Sequence, residues 1–360
     1  MTAQLKVGFL AYQNPYDKNA YSGVLHYMRC ALEDHPGIDL FILGKYPLYQ
    51  SGFLKRLLKR PDPTFQFDQC EYEGLDVVIA PAASNVLRAH GNKIDIPIIL
   101  VSDAIPSYIR EFYPLEAEKF LDEEEISAFQ SVERVIYSSK YMADRASDEF
   151  NILKNKVISV APYGVNLDCF PPSPAIKPKL DPLKLVFVGG NWARKGGDIA
   201  LATLNELLSR GVTSTLTIVG PGPDATIKHP NVEVVGFLDK QQPAQYQKYE
   251  SILKNSHLMI LPTRADCTPM SISEANAFAC PVVVTDVGGV SSLIRDDVNG
   301  KLMTLEDGAR KWADVIEALT VKNDSYDDIR ISSYQFSQLR LSWAAWAQTM
   351  YENLSEVARK

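Results

Sequence analysis

The run LMILPTRADCTPMSISEANAFACPVVVTD, residues 258–286, decides how this chain is read. Its ends, LMILPT (258–263) and PVVVTD (281–286), are short, continuously apolar runs, which suit strands covered on both faces of a parallel sheet. A helix is expected between them. Thr268 is a good N-cap, and Pro269 suits the first helical position, where a missing N–H costs nothing. The amides of Met270 and Ser271 then point out of the helix N-terminus, toward which the helix dipole draws a phosphate oxygen. Glu274 lies roughly a turn and a half further in; ionised, it only accepts hydrogen bonds, which suits sugar hydroxyls. Asp266 stands on the loop at the mouth. Together these features describe a pocket for a sugar nucleotide. The plain alternative is a helix start with a capping acid and a surface glutamate.

The same alternation continues outward. KVGFLAY (6–12), DLFIL (39–43), DVVIAP (76–81), PIILVSD (97–103) and RVIYSS (134–139) read as strands, with helical patterns at 20–34, 84–90, 117–132 and 143–150. FPPSPAIKPKLDP (170–182) carries five prolines and no period, so it reads as a linker. LKLVFVG (183–189), a helix over 197–210, TLTIVG (215–220) and VEVVGFL (232–238) restart the series. The fold class is therefore α/β, with two doubly wound domains. The division reads as 1–168, a linker at 169–182, 183–336, and a last helical segment at 337–360. Ligands of such sheets bind outside the C-terminal strand ends, so a cleft between the domains is expected there.

At 360 residues, 46% apolar and 22% charged, the chain fits two soluble domains rather than a disordered segment. A net charge of −7 argues against a nucleic-acid binder. Five scattered cysteines (Cys30, Cys70, Cys169, Cys267, Cys280) point to reduced thiols in a cytoplasmic setting. The N-terminus shows no signal-peptide series, no apolar run is long enough to span a bilayer, and the five histidines form no metal-ligand spacing. SGFLKRLLKRP (51–61) reads as a solvated helix, with weak contact to an anionic membrane at its inner face left open. DEEE (122–125) reads as an exposed helix start.

Four further stretches carry the candidate chemistry. In GGNWARKGGDIA (189–200), Gly189 and Gly190 allow a tight turn, and Arg194 and Lys195 precede a helix start, where two cations suit a diphosphate leaving group. VVGFLDKQQ (234–242) ends a strand in a turn at Gly236 and Phe237. TDVGGVSSLIRDDVNGKLM (285–303) contains Asn299-Gly300, read as a tight turn between strands. YQNPYDKNAYSGVLHYM (12–28) ends a polar loop in Ser22-Gly23 before a helix. Asp103 closes the fourth strand; it is read as orienting an acceptor hydroxyl, acting as a weak base, or capping the next segment.

These stretches resemble the retaining glycosyltransferases of the GT-B fold, family 4 in particular. Their acidic–seven residues–acidic signature falls on Asp266 and Glu274, although its first member is usually Glu. The resemblance implies that Glu274 holds the ribose hydroxyls and that Asp266 contacts the transferred sugar. Lys195 matches a lysine that grips the diphosphate; the family arginine falls on Gly190, and Arg194 would substitute for it. Gly236 and Phe237 would meet the nucleotide base, and Gly23 would close over the donor phosphate and the acceptor. Pro162, Gly164 and Asn166 would shape the hinge, and the last helix would cross back onto the first domain. The expected reaction is metal-independent, retaining transfer from a UDP- or GDP-sugar to a glycan, lipid-linked or small-molecule acceptor, without a cofactor. A GT-B sugar-nucleotide epimerase and a non-catalytic nucleotide-sugar-binding protein are the alternatives. A dinucleotide dehydrogenase is disfavoured, because no G-x-G-x-x-G follows a strand.

Overall fold

The computed structural model of the chain describes residues 4–44, 72–113, 121–220, 227–320 and 326–359. It divides into two compact units, Met1–Ala161 with Trp343–Lys360, and Pro162–Ser342. The basic segment 51–61 lies outside the described residues. No helix among the described residues is long and apolar enough to cross a membrane.

Unit 1 runs β1 (Leu5–Leu10), α1 (Val24–Glu33), β2 (Ile38–Leu43), β3 (Val77–Pro81), α2 (Ser84–His90), β4 (Ile98–Ser102) and α3 (Pro106–Phe112). It continues with α4 (Asp122–Ser131), β5 (Arg134–Tyr137), α5 (Lys140–Glu149) and β6 (Val157–Val160). Its sheet is parallel throughout, in the order β2-β1-β3-β4-β5-β6. The inner strands β3, β4 and β5 are buried along their whole length, which is why their sequences are apolar without alternation. The edge strand β6 exposes Val157 and Val160 and escaped the sequence reading.

Unit 2 runs β7 (Leu183–Val188), α6 (Gly197–Ser209), β8 (Ser214–Val219), β9 (Val232–Gly236), α7 (Pro243–Asn255), β10 (Leu258–Leu261) and α8 (Met270–Ala277). β11 (Val282–Thr285), β12 (Gly300–Met303), α9 (Ala309–Thr320) and α10 (Tyr326–Arg340) complete it. Its sheet is again all parallel, in the order β12-β11-β10-β7-β8-β9. Phe187, Leu204, Leu207, Ile218, Ile260, Val283 and Trp312 belong to one continuous core. At roughly 1.5–3 kcal/mol for each large apolar side chain buried, this core outweighs any surface ion pair. The proline-rich run lies against the same unit: Tyr334 O–H donates to Pro171 O, and Lys177 Nζ donates to Leu253 O and Lys254 O at the end of α7.

The C-terminal segment is two helices rather than one. α10 ends at Arg340, and a second helix, α11 (Trp343–Ala358), starts three residues later and joins unit 1. There Arg134 Nη2 pairs with Glu356 at 3.0 Å, and the ring of His35 lies 4.6 Å from that of Tyr351. Trp343 and Trp346 meet edge to face at 5.2 Å.

Two readings are corrected. Within DEEE, Asp122 pairs with Arg110 and Glu124 with Arg88, but Glu125 turns inward and is buried. Burial pushes its carboxyl up to about 7. Asn299-Gly300 is not a hairpin turn, because β12 runs parallel to β11. Asn299 is fully buried, and its Nδ2 donates to Asn276 Oδ1 on α8 at 2.6 Å and to Leu293 O at 2.9 Å. A Cβ on Gly300 would fall 2.1 Å from Val282 O, so glycine is required by strand contact and not by a turn.

Candidate active site

In unit 2 the sheet is built outward from β7, with β8 and β9 on one side and β10, β11 and β12 on the other. Loops leaving the two strands at such a reversal diverge, which opens a crevice outside their C-terminal ends. Lys195 follows β7 and Asp266 follows β10, and the two meet at that point, Nζ to Oδ2 at 2.5 Å. Both side chains are buried. Arg194 Nη1 lies 3.7 Å from the other oxygen, Asp266 Oδ1, and donates to Ala265 O at 2.7 Å.

The two loops are fastened together by hydrogen bonds of their own. Arg264 N–H donates to Arg194 O at 2.7 Å, and the Arg264 guanidinium holds both oxygens of Asp198 at 2.9 and 2.8 Å. That hydrogen-bonded pair holds the Asp198 carboxyl below its ordinary value. Gly196 makes the approach sterically feasible. Its φ is +74°, and a Cβ there would lie 1.9 Å from Pro262 O. Gly190 is exposed, and a Cβ on it would meet nothing within 4 Å.

The helix after Asp266 starts one residue later than the sequence indicated. Pro269 takes the cap position with φ −73° and ψ 94°, and α8 opens at Met270. Thr268 therefore lies in the loop, and the cap residue, a proline, gives the helix end no side-chain hydrogen bond of its own. Ile272 N–H turns back to Pro269 O at 3.0 Å, while Met270 and Ser271 hold the first two helical positions, whose amides have no acceptor within a helix. The buried Asn276–Asn299 contact ties α8 to the segment preceding β12 and so fixes where this end points.

Glu274, on α8, is 2% exposed. Its Oε1 accepts from Lys240 Nζ at 2.6 Å, and its Oε2 accepts from the hydroxyl of Tyr249 on α7. Burial, and then the adjacent Glu274 carboxylate, push the Tyr249 phenol well above its ordinary value, so it remains a donor. Neither partner was singled out from sequence. Lys240 lies within the quoted run 234–242, but nothing in a linear pattern pairs it with a carboxylate 34 positions away. Gly236 ends β9 at φ +79°, and Phe237 beside it is 66% exposed.

Two of the sequence candidates belong to unit 1. Tyr21, Ser22 and Gly23 are consecutive left-handed residues, with φ of 50°, 55° and 84°, and Gly23 caps α1. The Tyr21 hydroxyl donates to Asp103 Oδ1, just beyond β4. The sequence named Gly23 and Asp103; the structure adds Tyr21, which joins the two loops.

Solved structures match the fold across nearly the whole chain. Sucrose-phosphate synthase from Thermosynechococcus elongatus aligns over 98% of both chains with a TM-score of 0.67 at 15% identity. The apo lipopolysaccharide outer core galactosyltransferase WaaB aligns over 98% of this chain and 99% of its own, with a TM-score of 0.65 at 13% identity. Anabaena Alr3699/HepE in complex with UDP and glucose covers 98% of this chain and 100% of its own, with a TM-score of 0.62 at 16% identity. The fold is GT-B. Within this GT-B chain, residues 182–321 match the family model described as Glycosyl transferases group 1. A D-inositol 3-phosphate glycosyltransferase of Frankia alni is 28% identical over 219 residues, 56% of this chain and 53% of that protein. Its counterpart in Nocardioides sp. is 24% identical over 273 residues, 68% of this chain and 57% of its own. The GT-B chain thus spans about half the length of these curated relatives.

Proposed function

We propose that this chain is a glycosyltransferase that moves a sugar from a nucleoside diphosphate to an acceptor hydroxyl, with retention at the anomeric carbon and without a metal. The observation that carries this reading is the buried Lys195–Asp266 pair at the β7/β10 reversal, in the loop leading to the start of α8. The matched family model and the relatives' names, which are those of transferases, support it over an epimerase or a silent binding protein.

In this mechanism the donor diphosphate takes the positive charge that is otherwise paired with Asp266. Lys195, Arg194 and the amides of Met270 and Ser271 stabilise the negative charge that grows on the leaving oxygen. The bond from the anomeric carbon to that oxygen breaks, and its electron pair stays with the diphosphate. The acceptor oxygen bonds to the anomeric carbon from the same face, and its proton passes to the leaving phosphate oxygen. Asp266, freed from Lys195, contacts the sugar. Glu274 holds the ribose hydroxyls through the acceptor sites that Lys240 and Tyr249 leave on each carboxylate oxygen. Gly236 and Phe237 border the base, Gly23 approaches the donor phosphate, and Asp103 orients the acceptor. Because protein groups supply the positive charge, the step needs none from a cation. A cytoplasmic setting belongs to the same proposal and accords with the free thiols of Cys30, Cys169, Cys267 and Cys280.

The test begins with thermal melting against UDP-, GDP- and ADP-sugars, since a ligand that binds only the folded state raises its Tm. The donor so found is then used in a transfer assay with Lys195→Ala, for which at least about a hundredfold loss in kcat is expected with the fold retained. An undiminished rate would remove the mechanism.

A further inference from the structure

Glu274 is clamped by two side chains, and one of them is a cation delivered from a fixed turn. Lys240 stands between β9 and α7. Gln241 N–H donates to Asp239 Oδ1 at 2.8 Å, Gln242 N–H to Asp239 O at 3.0 Å, and Asp239 N–H to Gln245 Oε1 at 2.8 Å. An aspartate that bonds the backbone two residues on closes such a turn locally, so the backbone beneath Lys240 is set before its side chain makes any contact. From there Nζ reaches Glu274 Oε1 at 2.6 Å and lies 4.7 Å from the centre of the Tyr249 ring, while the Tyr249 hydroxyl closes on Oε2. The ammonium is thus held by a carboxylate and an aromatic face together.

We propose that Lys240 is the positioning residue for ribose recognition; this rests on the reading of the site as one for a nucleoside diphosphate. A carboxylate this deeply buried requires a compensating charge, and among the described residues Lys240 is the cation in contact with it. With one donor on each oxygen, the carboxylate plane cannot rotate freely, and each oxygen keeps a further acceptor site on a fixed side. Two neighbouring hydroxyls of a ribose match two fixed acceptor sites. Lys240 acts through Glu274, so its loss is felt by nucleotides that carry those hydroxyls and not by nucleotides that lack them.

Titration calorimetry of the full chain with UDP, GDP and ADP, each beside its 2′,3′-dideoxy counterpart, tests this. The wild type is expected to prefer a ribonucleotide. Lys240→Met, which keeps an unbranched stem and loses the charge, should weaken that nucleotide about tenfold and leave the dideoxy form unchanged. Lys240→Arg should restore most of the preference, and in a Glu274→Gln background Lys240→Met should add nothing further. Equal weakening of both forms by Lys240→Met, or weakening of neither, overturns the proposal and leaves the nucleotide reading standing. So does a wild type that binds both forms equally. A wild type that binds none of the three nucleotides removes that reading and this proposal with it. Should Lys240→Met fail to fold, Tyr249→Phe replaces it, with a smaller loss of the same preference expected; an unchanged preference overturns the proposal.

Discussion

The two units place their candidate residues at equivalent edges of equivalent sheets, yet hold them in opposite ways. In unit 2, Lys195, Asp266 and Glu274 are each paired with a counter-charge, and the loops bearing the first two are fastened by Arg264 to Asp198 and to the backbone at Arg194. In unit 1, three successive left-handed residues lead into α1, with the Tyr21–Asp103 hydrogen bond beside them. Also in unit 1, Glu125 is buried with Oε1 lacking a hydrogen-bond partner among the described residues. Backbone in the left-handed region costs a non-glycine residue of order 1 kcal/mol and persists only where the surroundings impose it. Unit 2 thus holds its candidate charges in pairs, whereas unit 1 holds left-handed backbone and a buried acid with one unbonded oxygen.

Three substitutions, with Gly23→Ala as a reference for the first, bear on this contrast in decreasing order of expected effect. Gly196→Ala in unit 2 sets a Cβ against Pro262 O in a left-handed conformation and should lower stability by about 3 kcal/mol. Denaturant melts would measure it, and a loss below about 1 kcal/mol would show that the loop junction is pliable. Gly23→Ala, at a left-handed position in unit 1, serves as the reference and should lose only about 1 kcal/mol.

Glu125→Gln probes the buried acid. Its folded-state value of about 7 lies above the ordinary 4.5, so between those values the folded chain binds more protons than the unfolded one. Stability from this group is therefore fully present below about pH 4.5 and lost as pH rises through 7, by up to about 3 kcal/mol. Glu125→Gln should raise Tm at pH 8 and leave it near the wild-type value at pH 4.5. A Tm gain equal at both pH values would show that the carboxyl stays ionised in the fold.

The smallest effect expected is that of Tyr21→Phe, which deletes the bond to Asp103 without removing the ring. About 1 kcal/mol of net hydrogen-bond energy should appear as a several-fold higher KM for the acceptor, with donor KM unchanged. A rise in donor KM instead would assign Tyr21 to the nucleotide.

The candidate positions Lys195 and Asp266 were legible because they sit in loops after apolar strands, and such strands announce themselves by composition. Val77–Pro81, Ile98–Ser102, Val282–Thr285 and their neighbours are continuous apolar runs because a parallel sheet covers both their faces. β6, with two exposed valines, lacks that mark and was not read, and β12, entered at a buried Asn299, was read only as lying beyond a tight turn. Likewise Glu125 belongs to a run of four acids whose composition suggests solvent, and only its place on α4 turns it inward.

The sequence alone determined the α/β class and most of the strands, and it singled out Lys195, Asp266 and Glu274 as candidates, since these follow from local periodicity and from the charge and hydrogen-bonding capacity of each side chain. Tertiary structure decided which of those residues neutralise one another: Asp266 with Lys195, and Glu274 with Lys240 and Tyr249. Such pairings join loops and helices far apart in the chain, so they depend on the order of strands across the sheet, which no local pattern records.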